Sequence, residues 1–228
     1  MLTEKYNKIN VGANIHASSP NWLNLSLLDS FKWNCEPVRE EDKLTVYKYP
    51  GNGAEFIARD VIDGLPFPDN SLDGVYSSHF IEHLDFEVAL LYFKEAYRVL
   101  RPGGVMRTIC PDLGIWIEKL YTSEDKFFET YKELIHNNWY SNKVKNFADK
   151  LSTKSQIFNS MFFNWGHKWM WDEEALRKEL SKVGFRNITR TNFGESKLEG
   201  SAELETNSNE TVDISRKMES IYLDAIKD

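Results

Sequence analysis

The sequence has little cysteine and no long apolar run. Its 228 residues include two cysteines, Cys35 and Cys110, with no metal-like pairing. A disulfide scaffold is therefore not expected, and a reducing cytoplasm fits best. No stretch of roughly 18 apolar residues occurs, and the residues at the start of the chain hold no apolar signal core. We therefore expect a cytoplasmic protein that is neither secreted nor membrane-spanning.

An excess of positive charge is also missing. The formal net charge is −7 at pH 7, and an acidic surface repels phosphate backbones. A loose basic cluster, interleaved with polar residues, is typical of a solvated helix face; it consists of Lys143, Lys145, Lys150 and Lys154. We expect no nucleic-acid partner and no membrane partner, and the sequence does not indicate an oligomeric state.

Apolar patterning predicts one α/β domain. The length suits a single well-buried domain, and no internal repeat or low-complexity linker divides the chain. Apolar positions from Phe86 to Leu100 have helical spacing, and Arg101-Pro102-Gly103-Gly104 ends that helix. Short strands are predicted around it at 8–12, 22–28, 55–60, 72–78 and 105–110, and 44–47 is either a further strand or part of an insertion. Strands that alternate with helices or turns indicate an α/β fold.

The second half of the chain is less regular. Residues 114–170 are rich in aromatics, which predicts a helical insertion or cap whose aromatic side chains are mostly core. Asp172 is a predicted N-cap of a helix that ends at Gly184. Strands are predicted at 186–193 and 220–227, and the polar stretch 194–217 between them is predicted to hold no core.

One glycine motif follows the first predicted strand. In Val11-Gly12-Ala13-Asn14, the glycine allows the close approach of a nucleotide to the backbone. A single glycine is a weak signal by itself. The absence of G-x-G-x-x-G in this turn argues against a nicotinamide-linked oxidoreductase.

Two longer segments carry a family resemblance. The stretch from Asp60 to Leu84, DVIDGLPFPDNSLDGVYSSHFIEHL, closely resembles the middle of the type-11 S-adenosylmethionine-dependent methyltransferases. Arg98-Val-Leu-Arg-Pro-Gly-Gly-Val105 resembles the next motif of that family, and Ile109 to Leu113 resembles its following strand end. The segments 167–172, 184–185 and 193–196 are similar to a subgroup that is often associated with polysaccharide biosynthesis.

The resemblance implies a fold and a cofactor. It implies one domain over residues 1–228, Rossmann-like, with a mostly parallel seven-stranded sheet, helices on both faces and an antiparallel last strand. S-adenosyl-L-methionine would bind at the carboxyl ends of the first strands, the switch point of such a sheet.

The resemblance also implies individual cofactor-binding residues. Gly12, Ala13 and Asn14 would line the methionine part. Asp60 would accept a hydrogen bond from the adenine amino group, with Val61 beside the ring. The residues beneath the sulfonium, facing the acceptor, would be Ser78 and His79.

Two positions depart from the family pattern. Asn14 stands where the family has its second glycine, and its tolerance of left-handed backbone should preserve the turn. Ser26 replaces the acid that binds the ribose hydroxyls, and it brings one hydrogen bond without charge. Asp29, three residues further on, is a candidate substitute for that acid.

The implied reaction moves a methyl group to a hydroxyl of a small-molecule or saccharide acceptor. His79 is the first candidate for the general base and His167 the second; packed structural histidines are the alternative for both. A competing hypothesis is a catalytically inactive methyltransferase fold that serves as a binding or scaffold module. The weak first motif and Ser26 motivate that hypothesis.

A zinc-peptidase motif is also present in the sequence. His79-Phe80-Ile81-Glu82-His83 matches the inverted signature H-x-x-E-H. That signature requires a helix presenting both histidines, whereas this match begins directly after a predicted strand. We therefore expect no metal, and we expect Glu82 and His83 to orient the loop. Asp112 is a predicted N-cap.

Overall fold

A mixed sheet runs through the computed structural model, which describes residues 2–122, 126–137, 153–163, 165–206 and 210–228. Its nine strands lie in the order β3-β4-β5-β2-β1-β6-β7-β9-β8. They are β1 (Lys8–Val11), β2 (Leu23–Ser26), β3 (Glu36–Glu41), β4 (Leu44–Lys48), β5 (Glu55–Ala58), β6 (Leu72–Ser78), β7 (Leu100–Pro111), β8 (Arg186–Arg190) and β9 (Ser220–Ile226).

Helices connect and cover these strands. They are α1 (Leu2–Lys5), α2 (Phe86–Val99), α3 (Leu113–Ile117), α4 (Lys126–Asn137), α5 (Lys154–Phe163), α6 (Glu173–Val183), α7 (Ser201–Glu205) and α8 (Glu210–Glu219). Glu118–Thr122 is a π-helical turn. Short 3₁₀ turns follow the early strands at Ile15–Ala17, Leu28–Ser30, Val61–Asp63 and Ile81–His83. None of the helices in the described ranges has the length and apolar character that a membrane span requires.

The strand directions confirm the predicted α/β fold. β5, β2, β1, β6 and β7 are parallel, while β9 runs antiparallel to β7 and β8 antiparallel to β9. The expected count of seven strands was wrong, because a hairpin of β3 and β4 pairs antiparallel with β5 and extends the edge. β3 has the polar sequence EPVREE and is largely exposed. It lacks the alternation of apolar and polar residues that predicts a strand, so the sequence analysis did not find it.

Apolar packing covers both faces of the sheet. On one face, α2 buries the predicted stripe that includes Ala89, Phe93 and Ala96, and α6 packs beside it. On the other face, Leu198 and Leu204 join Tyr76 of β6 in a second cluster. The prediction that 194–217 holds no core was therefore wrong.

A buried ion pair explains one polar residue of that stretch, Glu205. Arg107 on β7 is fully buried, and its guanidinium lies 2.9 Å from Glu205 of α7 and 3.2 Å from Asp224 of β9. A buried charge must be paired to be tolerated, so Glu205 is a polar residue with a core position. Hydropathy patterning cannot register such a residue.

The aromatic-rich segment has an apolar cluster of its own. Trp116, Leu120, Phe127, Phe128, Tyr131, Ile157 and Met161 pack together between α3, the π-helical turn, α4 and α5. Trp116, Phe127, Phe128 and Tyr131 are buried, whereas Tyr121 and Phe163 are more than half exposed. The prediction that most aromatics of this segment are core is therefore only partly correct. Some of the predicted residues lie outside the described ranges. They are the aromatics Trp139, Tyr140 and Phe147 and three lysines of the basic cluster, Lys143, Lys145 and Lys150.

Candidate active site

Two adjoining cavities open where the parallel strands end. The strand-end cavity has a volume of about 500 Å³ and lies against β1, β2 and the turn after β5; Ser26, Asp60, Val61 and Ile62 line it. The histidine cavity, of about 310 Å³, lies beyond β6 and is lined by Ser78, Glu82, His167 and Glu219 among others. Gly12, His79 and His83 line both. The carboxyl ends of parallel strands meet at one edge of a sheet, which explains why these residues converge.

Two features of the structure require glycine at position 12, its backbone conformation and the close contact with a neighbouring ring. Its φ is +75°, a region that side chains with a Cβ disfavour. A Cβ here would lie 2.3 Å from Cδ2 of Phe80, whose ring covers the glycine. The close approach at this position is therefore between the backbone and Phe80, a contact the sequence did not indicate.

Asn14 acts differently from the prediction. Its backbone is extended (φ −116°), not left-handed, and its side chain caps the turn Ile15–Ala17 by accepting hydrogen bonds from the amides of His16 and Ala17. It lines the histidine cavity. The short side chain of Asn serves here as an N-cap, in place of a second glycine.

Ala13 does not line either cavity. It is buried in a cluster with Phe31 and Phe56. The amides of Gly12 and Ala13 both donate to the carbonyl of Leu25, at 2.9 and 3.1 Å. These two amides hold the turn against β2, so the direct role in binding implied for Ala13 is not supported.

Asp60 lies at the rim of the strand-end cavity. Its Oδ1 accepts a hydrogen bond from the Ile62 amide at 3.1 Å and so begins the turn Val61–Asp63. The side chain is exposed, while Val61 beside it is buried. Ile62 and Leu27, which line the same cavity, are more than half exposed.

Ser26 lines the strand-end cavity, but Asp29 does not replace the missing acid. Asp29 points into solvent and forms an ion pair with Lys32. The cavity wall near Ser26 therefore presents a hydroxyl and no carboxylate from this turn.

His79 stands between the two cavities. It follows β6 with a left-handed backbone (φ +49°), and its amide donates to the carbonyl of Ile109 at 2.8 Å. Its Nε2 lies 3.0 Å from the hydroxyl of Ser220, and its Nδ1 lies 3.4 Å from Oε1 of Glu82. Burial lowers the pKa of His79 below its ordinary value and Glu82 opposes the shift, so the imidazole is neutral at pH 7.

Glu82 lies close to two further histidines, His83 and His167. It is 1% exposed, and ligand atoms of Glu82, His83 and His167 all lie within 4.8 Å of one another. Burial lowers the pKa of His167 to about 4, although the Glu82 carboxylate acts in the opposite direction. Burial acts to raise the pKa of Glu82, but His79, His83 and His167 outweigh it and lower that pKa, so the carboxyl is ionised at neutral pH.

Residues from the end of the chain complete the histidine cavity. Arg216 and Glu219 of α8 line it together with Tyr131 of α4. Burial raises the pKa of Glu219 to about 8, although Tyr131 hydrogen bonds to it. The sequence analysis missed these residues, because α8 has no motif; an acid placed directly before the closing strand is the only signal it offers.

Asp112 has the predicted capping role. Its Oδ1 accepts a hydrogen bond from the amide of Gly114 at 2.9 Å and so begins α3. Its Oδ2 accepts from Arg190 at 2.9 Å, which ties the end of β7 to β8. Asp112 is therefore structural and does not line either cavity.

Known proteins resemble the chain in one segment and in the fold. Residues 32–108 match a family model described as a methyltransferase domain. No curated protein matches the chain.

Solved structures match over nearly the whole chain. A SAM-dependent methyltransferase from Archaeoglobus fulgidus is 15% identical, with a TM-score of 0.52, over 97% of this chain and 86% of that one. A SAM-dependent methyltransferase from Thermotoga maritima, described as a possible histamine N-methyltransferase, is 14% identical over 97% and 82%, with a TM-score of 0.49. One from Mesorhizobium loti is 14% identical over 97% and 90%, with a TM-score of 0.49.

At such identities, the likeness to the Archaeoglobus protein shows the fold alone: that of the Rossmann-like, class I methyltransferases. The segment that matches the methyltransferase domain contains Asp60, Ser78 and His79. About a third of the chain, residues 32–108, therefore matches a methyltransferase domain, and the fold is that of SAM-dependent methyltransferases. The polysaccharide-associated subgroup stays a prediction.

Proposed function

We propose that this protein uses S-adenosylmethionine and moves its methyl group to a hydroxyl of a small-molecule or saccharide acceptor held in the histidine cavity. The observation that carries the proposal is that His79 lines both cavities. A group at that junction can contact the reacting oxygen while the cofactor lies on its other side.

The strand-end cavity fits the cofactor. Its volume lies in the range of small-molecule sites, and its rim carries the exposed apolar side chains of Leu27 and Ile62, which a bound adenine ring would cover. Asp60 keeps Oδ2 for the adenine amino group while Oδ1 caps the turn. Ser26 offers one hydroxyl to the ribose, and Gly12 and Asn14 lie on the methionine side.

The histidine cavity fits a neutral, hydroxylated acceptor. Its walls combine the apolar Met161 and Leu134 with the polar groups Tyr131, Ser215 and Arg216. A volume of about 310 Å³ is at the small end for a ligand site.

We also propose that residues 114–170 form a cap, since Tyr131, Leu134 and Met161 bring α4 and α5 over this cavity.

His79 serves as the general base in this proposal. The Glu82 carboxylate faces Nδ1 and favours the tautomer with the proton there, which leaves Nε2 to accept a proton. The acceptor hydroxyl takes the place of the Ser220 hydroxyl that now faces Nε2. When bound, S-adenosylmethionine supplies a methyl group on a positively charged sulfur. The chain positions both reactants, keeps water out and removes the proton.

A transfer assay tests the proposal. Release of S-adenosylhomocysteine is measured with a panel of sugars and small alcohols, and with the matching amines. We expect turnover with a hydroxylated compound, and we expect His79→Ala to reduce it roughly 10²- to 10⁴-fold, the usual contribution of a general base, without abolishing cofactor binding.

His16→Gln, at an exposed position outside both cavities, is the matched control and should turn over like the wild type. If His79→Ala keeps wild-type turnover with the true acceptor, the base is not His79, and His167 is tested next. Turnover with amines alone would refute the hydroxyl acceptor. If the wild type does not bind cofactor, the inactive scaffold replaces the proposal; the missing ribose acid near Ser26 favours that alternative.

A further inference from the structure

We propose that Glu82, His83 and His167 bind a divalent transition-metal ion, with Zn²⁺ the best match, at the wall of the histidine cavity. Binding of the ion does not depend on the proposed reaction. Its catalytic use, which is to activate the acceptor hydroxyl, rests on the proposed function. The proposal replaces the expectation from sequence that no metal is bound.

The backbone holds the three side chains together. Glu82 and His83 are neighbours in the turn Ile81–His83, and His167 comes from a distant segment. The carbonyl of Glu82 accepts hydrogen bonds from the amides of Lys168 and Trp169, at 2.7 and 3.2 Å. These bonds set the register between the two segments, and the rings of His83 and His167 meet edge to face with centroids 4.8 Å apart.

The buried carboxylate is the second, independent observation. Both oxygens of Glu82 are inaccessible, and neither accepts a hydrogen bond from the described residues. The nearest donor is Nδ1 of His79 at 3.4 Å, too long for a normal hydrogen bond. Burying an unpaired carboxylate is strongly unfavourable, and a cation in contact with it removes that cost. Nδ1 of His167 is buried without a partner in the same way.

The donor set selects the ion. Two imidazole nitrogens and one carboxylate oxygen are typical of catalytic zinc, which keeps a fourth position open. Mg²⁺ and Ca²⁺ prefer oxygen ligands throughout. Tetrahedral ligands about 2.1 Å from zinc lie about 3.4 Å apart, so donor atoms within 4.8 Å of one another need only side-chain rotations to close.

The position of the site gives the ion a role. All three ligands line the histidine cavity, so the open position faces the space proposed for the acceptor. A hydroxyl bound to zinc has a lowered pKa and loses its proton more readily. His79 is beside Glu82 and receives that proton. The motif therefore differs from that of a zinc peptidase, since the first histidine is not a ligand and the third ligand comes from position 167.

Calorimetry with Zn²⁺ tests the site on the full-length, chelator-treated protein without cofactor or acceptor. We expect one Zn²⁺ per chain at micromolar affinity or tighter, and weakening of at least about tenfold in His167→Gln and in Glu82→Gln. His16→Gln is the matched control and should bind like the wild type. Absence of zinc binding, or wild-type affinity in both ligand variants, would overturn the proposal.

A second measurement, on the wild type, is decisive even where a ligand variant fails to fold. Co²⁺ is added as a spectroscopic probe, and the strong visible absorption of tetrahedral cobalt is expected with the wild type and His16→Gln but not with His167→Gln. A wild-type spectrum of octahedral cobalt would overturn the site. Since neither measurement involves methyl transfer, failed zinc binding refutes this site alone, and failed transfer by zinc-loaded enzyme refutes the proposed function alone.

Discussion

At the scale of single residues, several side chains at the site have roles that their motif does not state. Gly12 was predicted to let a nucleotide approach the backbone, but the group that lies against it is the ring of Phe80. Asn14 is a cap, and Asp29 faces solvent. A motif specifies which residue types recur after a strand; the direction of a side chain depends on neighbours distant in sequence.

Gly12→Ala tests the contact with Phe80. A left-handed Ala costs about 1–2 kcal/mol, and overpacking against the ring adds roughly 1–3 kcal/mol. Gly194→Ala is the matched control, since Gly194 has nearly the same φ (+76° against +75°) and open space where its Cβ would lie. We expect urea unfolding to show a larger loss of stability for Gly12→Ala.

Gly12→Ala should cost less stability in a Phe80→Ala background than in the wild type, because the clash is then absent. Equal losses for the two glycine variants would show that the Phe80 ring moves aside without cost.

At the scale of secondary-structure elements, an ionic cluster fastens the additional hairpin to the sheet. Glu55 of β5 accepts hydrogen bonds from Arg39 of β3, at 2.6 and 2.7 Å, and from Lys5 and Tyr6, at 2.8 and 2.9 Å. Burial acts to raise the pKa of Glu55, but these donors outweigh it and lower the pKa to about 2.

The cluster predicts a pH dependence of stability. Because the folded pKa lies below the ordinary value of 4.5, the contribution of Glu55 is complete above about pH 5 and is lost as the pH falls towards 2. We expect the difference in unfolding free energy between wild type and Glu55→Gln to shrink over that range.

Glu36→Gln, at an exposed position on the same hairpin, is the matched control and should leave the unfolding free energy close to that of the wild type at neutral pH, since exposed charges contribute little to stability. A Glu55→Gln difference that does not change between pH 5 and 2 would contradict the account.

Periodicity predicted the elements whose burial is one-sided. The apolar stripe of α2 and the N-cap and terminal glycine of α6 were readable, since Asp172 accepts from the amide of Ala175 and Gly184 ends the helix with a positive φ. β3 and α7 were not readable. Both are stabilised by ion pairs, through Arg39 and Glu205, and charged residues predict exposure.

At the scale of the whole molecule, strand order explains why distant residues form one site. β1 lies between β2 and β6, so Gly12, Ser26 and Ser78 lie together at the carboxyl ends of three neighbouring strands. The sequence predicted this arrangement, since the motifs end predicted strands. It did not predict His167 beside Glu82 or Glu219 in the cavity wall, since those positions depend on packing across the sheet.

The central claim is that the strand-end cavity holds the cofactor, with Asp60 on its adenine. Calorimetry with S-adenosylhomocysteine tests it on wild type, on Asp60→Asn and on the control Asp63→Asn, which changes the same turn outside the cavity. We expect micromolar binding by wild type and control, and about tenfold weaker binding by Asp60→Asn, as for loss of a charge-assisted hydrogen bond. No binding by wild type at millimolar ligand, or equal affinity in all three proteins, would contradict the claim.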